Sequence, residues 1–376
     1  MQYTEYELGE LLPFEQPTAY IVKSTDYSDA YATPVLTAGK SFILGKTNET
    51  DGIFDQLPVI IFDDFTTATQ FVNFRFKVKS SAMKILHINT DLVIPKYIFY
   101  RLQIIQFDHS THKRYWIQSY SKIKVLIPPL DEQSRIVTRI DELFSELDKA
   151  VDTLKTTKEQ LEVYRQAVLK EIFDSVSTTS VHIKDVCLDI KVGIVIKPTQ
   201  YYVSENGVPA FRNANVRRGY INDTDWVMIS KEGHQQNCRS EVHTNDVLIS
   251  RSGANLGMAS VVPARYNGYN AIDVVIAVPD ISKVIPEFLA QYTNSPMGRA
   301  IVKKNERGAA QGHLNVSAYA NLPIGVPDLQ EQEKLVKQIS DRLSVCDSIE
   351  KTVDTALAQT DAMQQSILKQ AFEGTM

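Results

Sequence analysis

One phrase occurs twice in this chain. LIPPLDEQSRIVTRI (Leu126–Ile140) returns as IGVPDLQEQEKLVKQI (Ile324–Ile339). A repeat of this kind dictates architecture before any local propensity does. Laying Leu130 on Leu329 aligns Glu132 with Glu331, Gln133 with Gln332, Val137 with Val336, Ile140 with Ile339, Ser145 with Ser344 and Asp148 with Asp347, without a gap. The match ends where VLKEIF (Val168–Phe173) meets ILKQAF (Ile367–Phe372).

Both copies have the pattern of long helices. Ile136, Ile140, Leu143, Leu147, Ala150, Leu154, Thr157, Leu161, Tyr164 and Val168 alternate at steps of four and three, the a/d spacing of a coiled coil. Leu335, Ile339, Cys346, Ile349, Val353, Ala356, Thr360, Met363 and Ile367 take the matching places in the second copy, and Arg342 interrupts the stripe with Leu343 beside it as a substitute. Leu130 and Leu329, at the helix starts, complete the expected coiled-coil and partner-facing set. Neither run contains glycine or proline, so each is predicted to hold roughly 40 residues and reach about 60 Å. Proline lies before each helix and acidic residues fill its first turns. Stripes this long point to an antiparallel pair, with the intervening modules related by a pseudo-twofold axis.

What lies between the repeats has another texture. Short β-rich runs (PVIIFDDF, FVNFRFKVK, DVLISRSG, MASVVPARY) alternate with turn residues, and each set is followed by a short helical stretch, PKYIFYRLQII or PEFLAQYTNSPMGRAIV. The expected organisation is α+β: modules at 1–126 and 176–325, each followed by a long helix at 127–175 and 326–376.

The net charge of −5 argues against indiscriminate coating of nucleic acid. The acidity is concentrated in the helices, while residues 176–327 are slightly basic, a balance that suits a specific reader of DNA. The three cysteines, Cys187, Cys238 and Cys346, are far apart and outside any zinc spacing. The acidic start and the lack of a long apolar run predict a cytoplasmic protein with free thiols.

The order of module, P-x-L-x-E-Q helix, module, P-x-L-x-E-Q helix resembles the specificity subunit of type I restriction-modification enzymes along essentially the whole chain. PVLTAGKSFILGKTNET, PVIIFDDFTTATQFVNFRFKVKSSAMKIL and HKRYWI look like one class of that family's target recognition domains. DVLISRSGANLGMASVV, AIDVVIAV, PEFLAQYTNS and GAAQGHLNVSAYANLPIGVPDLQEQ look like another. The resemblance implies that each domain reads one half of a bipartite target in double-stranded DNA and that the helices set the gap. It further implies two docked modification subunits that use S-adenosylmethionine to methylate adenine, and restriction subunits that use ATP with Mg2+. No cofactor or metal is expected on this chain.

The sequence carries no glycine-rich S-adenosylmethionine loop, no NPPY-type or DPPY-type tetrapeptide and no GxxxxGK[ST] loop, so no catalytic residue is assigned. IPPL at Ile127 is a helix entrance. Asp63 and Asp64 are adjacent on a strand and point to opposite faces, which favours turn capping or amide bonding over a metal pair. His109, His112 and Lys113 suit a solvated loop near DNA better than a metal site.

Candidate DNA contacts follow from side-chain chemistry. Arg and Lys suit guanine O6/N7 or phosphate; Asn and Gln suit adenine N6/N7. In the first module they are Thr37, Lys40 and Ser41 beside Gly39, then Lys113, Arg114 and Tyr115. In the second they are Arg212, Asn213, Asn215, Arg217 and Arg218; Ser250, Arg251, Ser252 and Asn255; and Gln311 with His313. Lys303, Lys304 and Arg307 look like phosphate anchors.

Rival readings make different demands. A stand-alone regulator needs a helix-turn-helix or a basic region, and neither is present. A scaffold does not need Gly-rich polar loops carrying Arg and Asn. A related system with methyltransferase and nuclease fused in one partner fits this sequence as well as type I does.

Overall fold

The structure is a computed structural model that describes residues 3–38, 41–108, 114–176, 178–300 and 313–373. The chain forms two compact units, Met1–Leu154 with Thr355–Met376, and Lys155–Asp354. Each unit contains one β-rich module and parts of both long helices.

In the first unit β1 (Thr4–Glu7) pairs antiparallel with β9 (Lys124–Ile127) at the module's base. A four-stranded antiparallel sheet runs in the order β2 (Phe14–Glu15), β8 (Met83–His87), β5 (Val59–Asp63), β6 (Thr69–Val72). A smaller sheet runs β4 (Ile43–Thr47), β3 (Thr33–Leu36), β7 (Lys77–Val78), with β3 and β7 parallel. The strand period of two sends Ile60 and Phe62 of β5 into one core and Val59 and Ile61 into another, which is why VIIFD is buried throughout. Helices α1 (Leu8–Leu11), α2 (Pro95–Gln103) and α3 (Tyr115–Gln118) cover the larger core.

The second module repeats this plan. Its base pair is β10 (Ser180–His182) with β19 (Pro323–Gly325). The larger sheet is β11 (Cys187–Val192), β18 (Val274–Pro279), β15 (Val247–Ser250), β16 (Ala259–Val261). The smaller is β12 (Tyr202–Val203), β14 (Val227–Ile229), β13 (Val208–Phe211), β17 (Asn270–Ala271), with β13 and β17 parallel. Central β15 divides its side chains as β5 does: Val247 and Ile249 face one core, Leu248 the other. Besides α5 (Lys231–Gln236), helices α6 (Pro286–Asn294) and Val316–Ala320 stand where α2 and α3 stand in the first module.

The repeated phrase has a mechanical meaning. Gln133, three residues into α4 (Leu130–Asp174), is fully buried. Its Oε1 accepts from the Ile94 N–H at 2.8 Å, and its Nε2 donates to the carbonyls of Leu92 (3.0 Å) and Pro128 (2.9 Å). Gln332 repeats this with the Ile285 N–H (2.8 Å) and the carbonyls of Lys283 (2.9 Å) and Pro327 (2.8 Å). Ile94 and Ile285 are the N-cap residues of α2 and α6. Each glutamine therefore ties a long helix to the first turn of its module's helix, satisfying backbone groups that a helix start leaves orphaned.

The ends of the repeat grip as well. Phe372 packs edge-on against Tyr97 of α2, with ring centroids 5.3 Å apart, and Phe173 packs against Phe288 (5.3 Å) and Tyr292 (5.4 Å) of α6. Each module is held by the start of one long helix and the tail of the other.

Within each unit the long helices pair antiparallel. In the second unit Lys158 reaches Asp354 (2.7 Å), Arg165 reaches Asp347 (2.6 Å) and Glu350 (2.9 Å), and Glu171 meets Arg342. Val168, Leu335, Ile339, Cys346 and Val353 are buried there, and Leu343 packs beside them as the stripe predicted. Arg342 leaves the apolar seam to bind both oxygens of Glu171, at 3.0 Å each. In the first unit Ile140 is fully buried with Leu368 and Ala371, and Ile136 packs beside them. Leu147 is buried; Leu154 and Leu161 are half-buried.

Several expected seam positions differ: Ala150, Tyr164 and Met363 are exposed. Leu130 and Leu329 are exposed, because they open the helices ahead of the paired stretch. Ile349 is exposed beside the Arg165 ion pairs, since a 3.6-residue helix drifts off a 3.5-residue stripe. Ile367 is half-buried while Leu368 and Ala371 take the core. The second long helix is interrupted once: Leu329–Ala358 ends at a turn on Gln359, whose N–H bonds to Ala356 O, and Thr360–Glu373 follows.

Candidate nucleic-acid interface

The second module gathers five loops at one end. β13 and β17 are parallel and finish there, β11 and β15 finish there, and β18 begins there. Residues 193–197, 212–215, 251–257, 272–273 and 313–314 therefore converge on one rim.

Asn213 is its hub. Its Oδ1 accepts from the Arg251 N–H (2.7 Å) and the Ser250 Oγ (3.0 Å). Its Nδ2 donates to Ser252 Oγ (2.8 Å), and its carbonyl accepts from Asn255 Nδ2 (3.0 Å). Asp273, in the left-handed region at φ 53°, bonds Arg251 Nη1 at 2.7 Å and lies 4.0 Å from the His313 ring. Arg251 Nε donates to Leu314 O (3.1 Å). The Arg251 fork is thus fixed on two sides, and a pre-oriented guanidinium loses less side-chain entropy when it meets a planar base edge. Gly253, at φ 70° with open space around it, lets the 251–257 loop turn tightly beside the fork.

Of the other sequence candidates, two are buried inside the rim and three are arginines bonded within the chain. Asn215 is fully buried: it accepts from the Arg212 N–H (2.9 Å) and donates to Asn222 O (3.1 Å) and Thr224 O (2.9 Å). Ser250 is fully buried under Asn213. Arg212 donates to Asp225 O at 2.5 Å, and Arg217 to Val216 O at 3.3 Å. Arg218 is committed to Glu162 of α4. Burial takes Asn215 and Ser250 off the outer surface; Arg212, Arg217 and Arg218 are half-buried and bonded within the chain, as Arg251 is.

In the first module Tyr115 is buried, its ring against Phe107 and its N–H on Asp64 O at 2.9 Å. The matching bond in the second module is Leu314 N–H to Arg251 O at 2.8 Å, so Arg114 and His313 occupy equivalent positions. Arg114 is exposed, its guanidinium 6.0 Å from the centroid of the exposed Phe65 ring. Thr37 donates its N–H to Phe42 O (2.9 Å), and Ser41 is exposed. Asp63 bonds the Phe65 N–H (2.9 Å) and Thr66 Oγ1 (2.7 Å), while buried Asp64 bonds the Trp116 N–H (2.9 Å) and lies 3.4 Å from buried Lys84. Both are structural carboxylates, as their adjacency on a strand implied. Gly39, Lys40, His109, His112, Lys113, Lys303, Lys304, Arg307, Gln311 and Gly312 lie outside the described residues.

Sequence reasoning missed Asp273 and Phe65. A lone carboxylate inside the apolar run AIDVVIAV was a usable signal for the first. Among the described residues no group of three or more His, Cys, Asp or Glu side chains is arranged to hold a metal. The cysteines are free thiols, Cys346 buried between the long helices.

Comparison with known proteins agrees with this architecture. Residues 2–163 and 169–359 each match the family described as the type I restriction modification DNA specificity domain. The specificity subunit of the type I restriction enzyme EcoR124I/EcoR124II of Escherichia coli is 45% identical over 174 residues, 43% of this chain and 43% of that protein. The EcoBI specificity subunit, also from Escherichia coli, is 27% identical over 66% of this chain and 58% of its own length. The chain thus spans about half the length of the curated relatives it matches. A solved chain from work on complex assembly and conformational transition of the type I R-M system superposes with a TM-score of 0.68 at 19% identity, covering 98% of this chain and 97% of that one. The HsdS subunit of Thermoanaerobacter tengcongensis gives 0.51 at 18% identity, over 100% and 97%. At such identities the likeness is one of fold. With the specificity domain matched twice along almost all of its length, this chain belongs to the type I restriction modification DNA specificity family.

Proposed function

We propose that this chain is the DNA sequence-specificity subunit of a type I restriction-modification complex and is itself non-catalytic. Residues 1–126 and 176–325 serve as target recognition domains, each reading one half of a bipartite site in double-stranded DNA. Residues 127–175 and 326–376 set the gap and dock two methyltransferase subunits. S-adenosylmethionine, and ATP with Mg2+, belong to the methyltransferase and restriction partners, and the complex works in the cytoplasm.

The observation that carries this reading is the rim built on Asn213, Arg251, Asp273 and His313. It is a set of hydrogen-bonding side chains held by a rigid sheet end, the kind of surface that distinguishes base edges. Its counterpart is the Arg114 position of the other module. Leu130 and Leu329, exposed at the same point of both repeats, support a partner that docks twice. No described helix is long and apolar enough to cross a membrane.

The test is methylation mapping after co-expression with the cognate modification subunit in a methylation-free host. A bipartite motif with a fixed gap and methyladenine on opposite strands is expected. A continuous motif, or unmodified DNA despite an intact complex, rejects the reading.

A further inference from the structure

The rim of the second module has an apolar edge that its polar cluster does not explain. Ile196 is 76% exposed and Val195 46%. They form the tip of the loop that leaves β11, and the base of that loop is part of the polar cluster's own frame. Gly193 N–H bonds Val274 O (2.9 Å), Ile194 N–H bonds Ala271 O (2.8 Å), and Ile194 O accepts from the N–H of Asp273 (3.1 Å), the residue that holds Arg251. A Cβ on Gly193 would lie 2.4 Å from Ala271 O, so glycine is what permits this close docking. Lys197 follows at φ 43°, turning the chain behind the tip and adding a positive charge.

Resting on the proposed function, we infer that Val195 and Ile196 are a nonpolar DNA contact that packs on thymine C5-methyl groups in the half-site read by the second module. Thymine offers the major groove one acceptor and one methyl group, so an aliphatic side chain beside fixed hydrogen-bonding groups supplies what Asn213, Arg251 and His313 cannot. Both residues are β-branched and stiff at χ1, which limits the entropy lost on contact. The matching loop of the first module has no such residues. Its parallel bridge Ile21–Val78 corresponds to Ile194–Ile272, but the next residues are Val22, Lys23 and Ser24, with Lys23 paired to Asp51 at 2.8 Å. The contact made by this loop therefore belongs to one half-site, and the uracil response of the other, which the variants leave untouched, serves as a control.

The experiment uses the full chain in complex with its modification subunit and duplexes carrying the mapped target, with each thymine replaced in turn by uracil. Wild-type affinity should fall about fourfold, the worth of one buried methyl group, at one or more positions of the half-site read by the second module. The Ile196→Ser and Val195→Ser/Ile196→Ser complexes should bind the thymine and uracil versions of that half-site equally while keeping their response in the other. Equal uracil sensitivity in wild type and variants overturns the inference, as does a wild-type complex whose affinity is unchanged by every thymine-to-uracil replacement. A wild-type complex without sequence-dependent binding defeats the underlying function as well, and that result is read before any variant is made. Circular dichroism of the variants checks that these exposed positions leave the fold unchanged.

Discussion

Gln133 and Gln332 show how much one buried amide can organise. Each satisfies three backbone groups in a place closed to water, and an unmet buried hydrogen-bonding group costs about 1–3 kcal/mol. Gln332→Leu, close in volume and unable to bond, leaves three such groups unmet and should lower unfolding stability by at least about 3 kcal/mol, read from the denaturant midpoint at unchanged m-value. At the rim the consequence is different in kind. Asp273→Asn keeps an acceptor for Arg251 but removes the charge that fixes the fork, so the expected result is near-wild-type stability with discrimination at one half-site weakened by about 1–3 kcal/mol. Competition binding against single-base variants of the target checks this; unchanged discrimination would remove Arg251 from the reading surface.

The helices show which parts of the structure can be recovered from sequence and which cannot. Apolar positions every three or four residues specify a face, so α4 and its mate were legible, as was the capping role of Asp63. The turn at Gln359 was not, because no glycine or proline marks it. Residue type does not report burial either: Asn215 and Ser250 have the chemistry of base readers, yet their side chains are consumed inside the rim. Phe173 and Phe372 closed the repeat in sequence, but only the fold reveals that each grips a module. Phe173→Ala in the α6 core should cost about 3–5 kcal/mol, and Phe372→Ala less, since Phe372 is only half-buried. Between the helices, Arg342 holds the Glu171 carboxyl below its usual range. A depressed carboxylate stabilises the fold above its unfolded value, near 4.3, and the contribution disappears as pH falls through the lower folded value. The melting-temperature gap between wild type and Arg342→Met should therefore be widest at neutral pH and close below about pH 4. A gap that stays constant to acid pH would mean that Arg342 acts through the Tyr164 ring, whose centroid lies 5.9 Å from its guanidinium, and not through Glu171.

At the scale of the whole molecule, the twofold grip explains why the chain repeats its phrase. Each module needs a helix start to lock its base and a helix tail to cover its own helix, and one chain supplies both sets only by using the long helix twice. If those helices also act as the proposed ruler, their length is the gap. Removing one heptad from each, 148–154 in the first and 346–352 in the second, deletes about 10 Å of helix while returning the apolar stripe to nearly the same phase. At about 3.4 Å per base pair, the methylated motif of the shortened protein should have a gap smaller by about three base pairs, with both half-sites unchanged. The half-sites are read by modules that the deletion leaves intact, so their persistence shows that the variant has folded. An unaltered gap beside unaltered half-sites would assign the spacing to the partner subunits and leave the long helices as clamps alone.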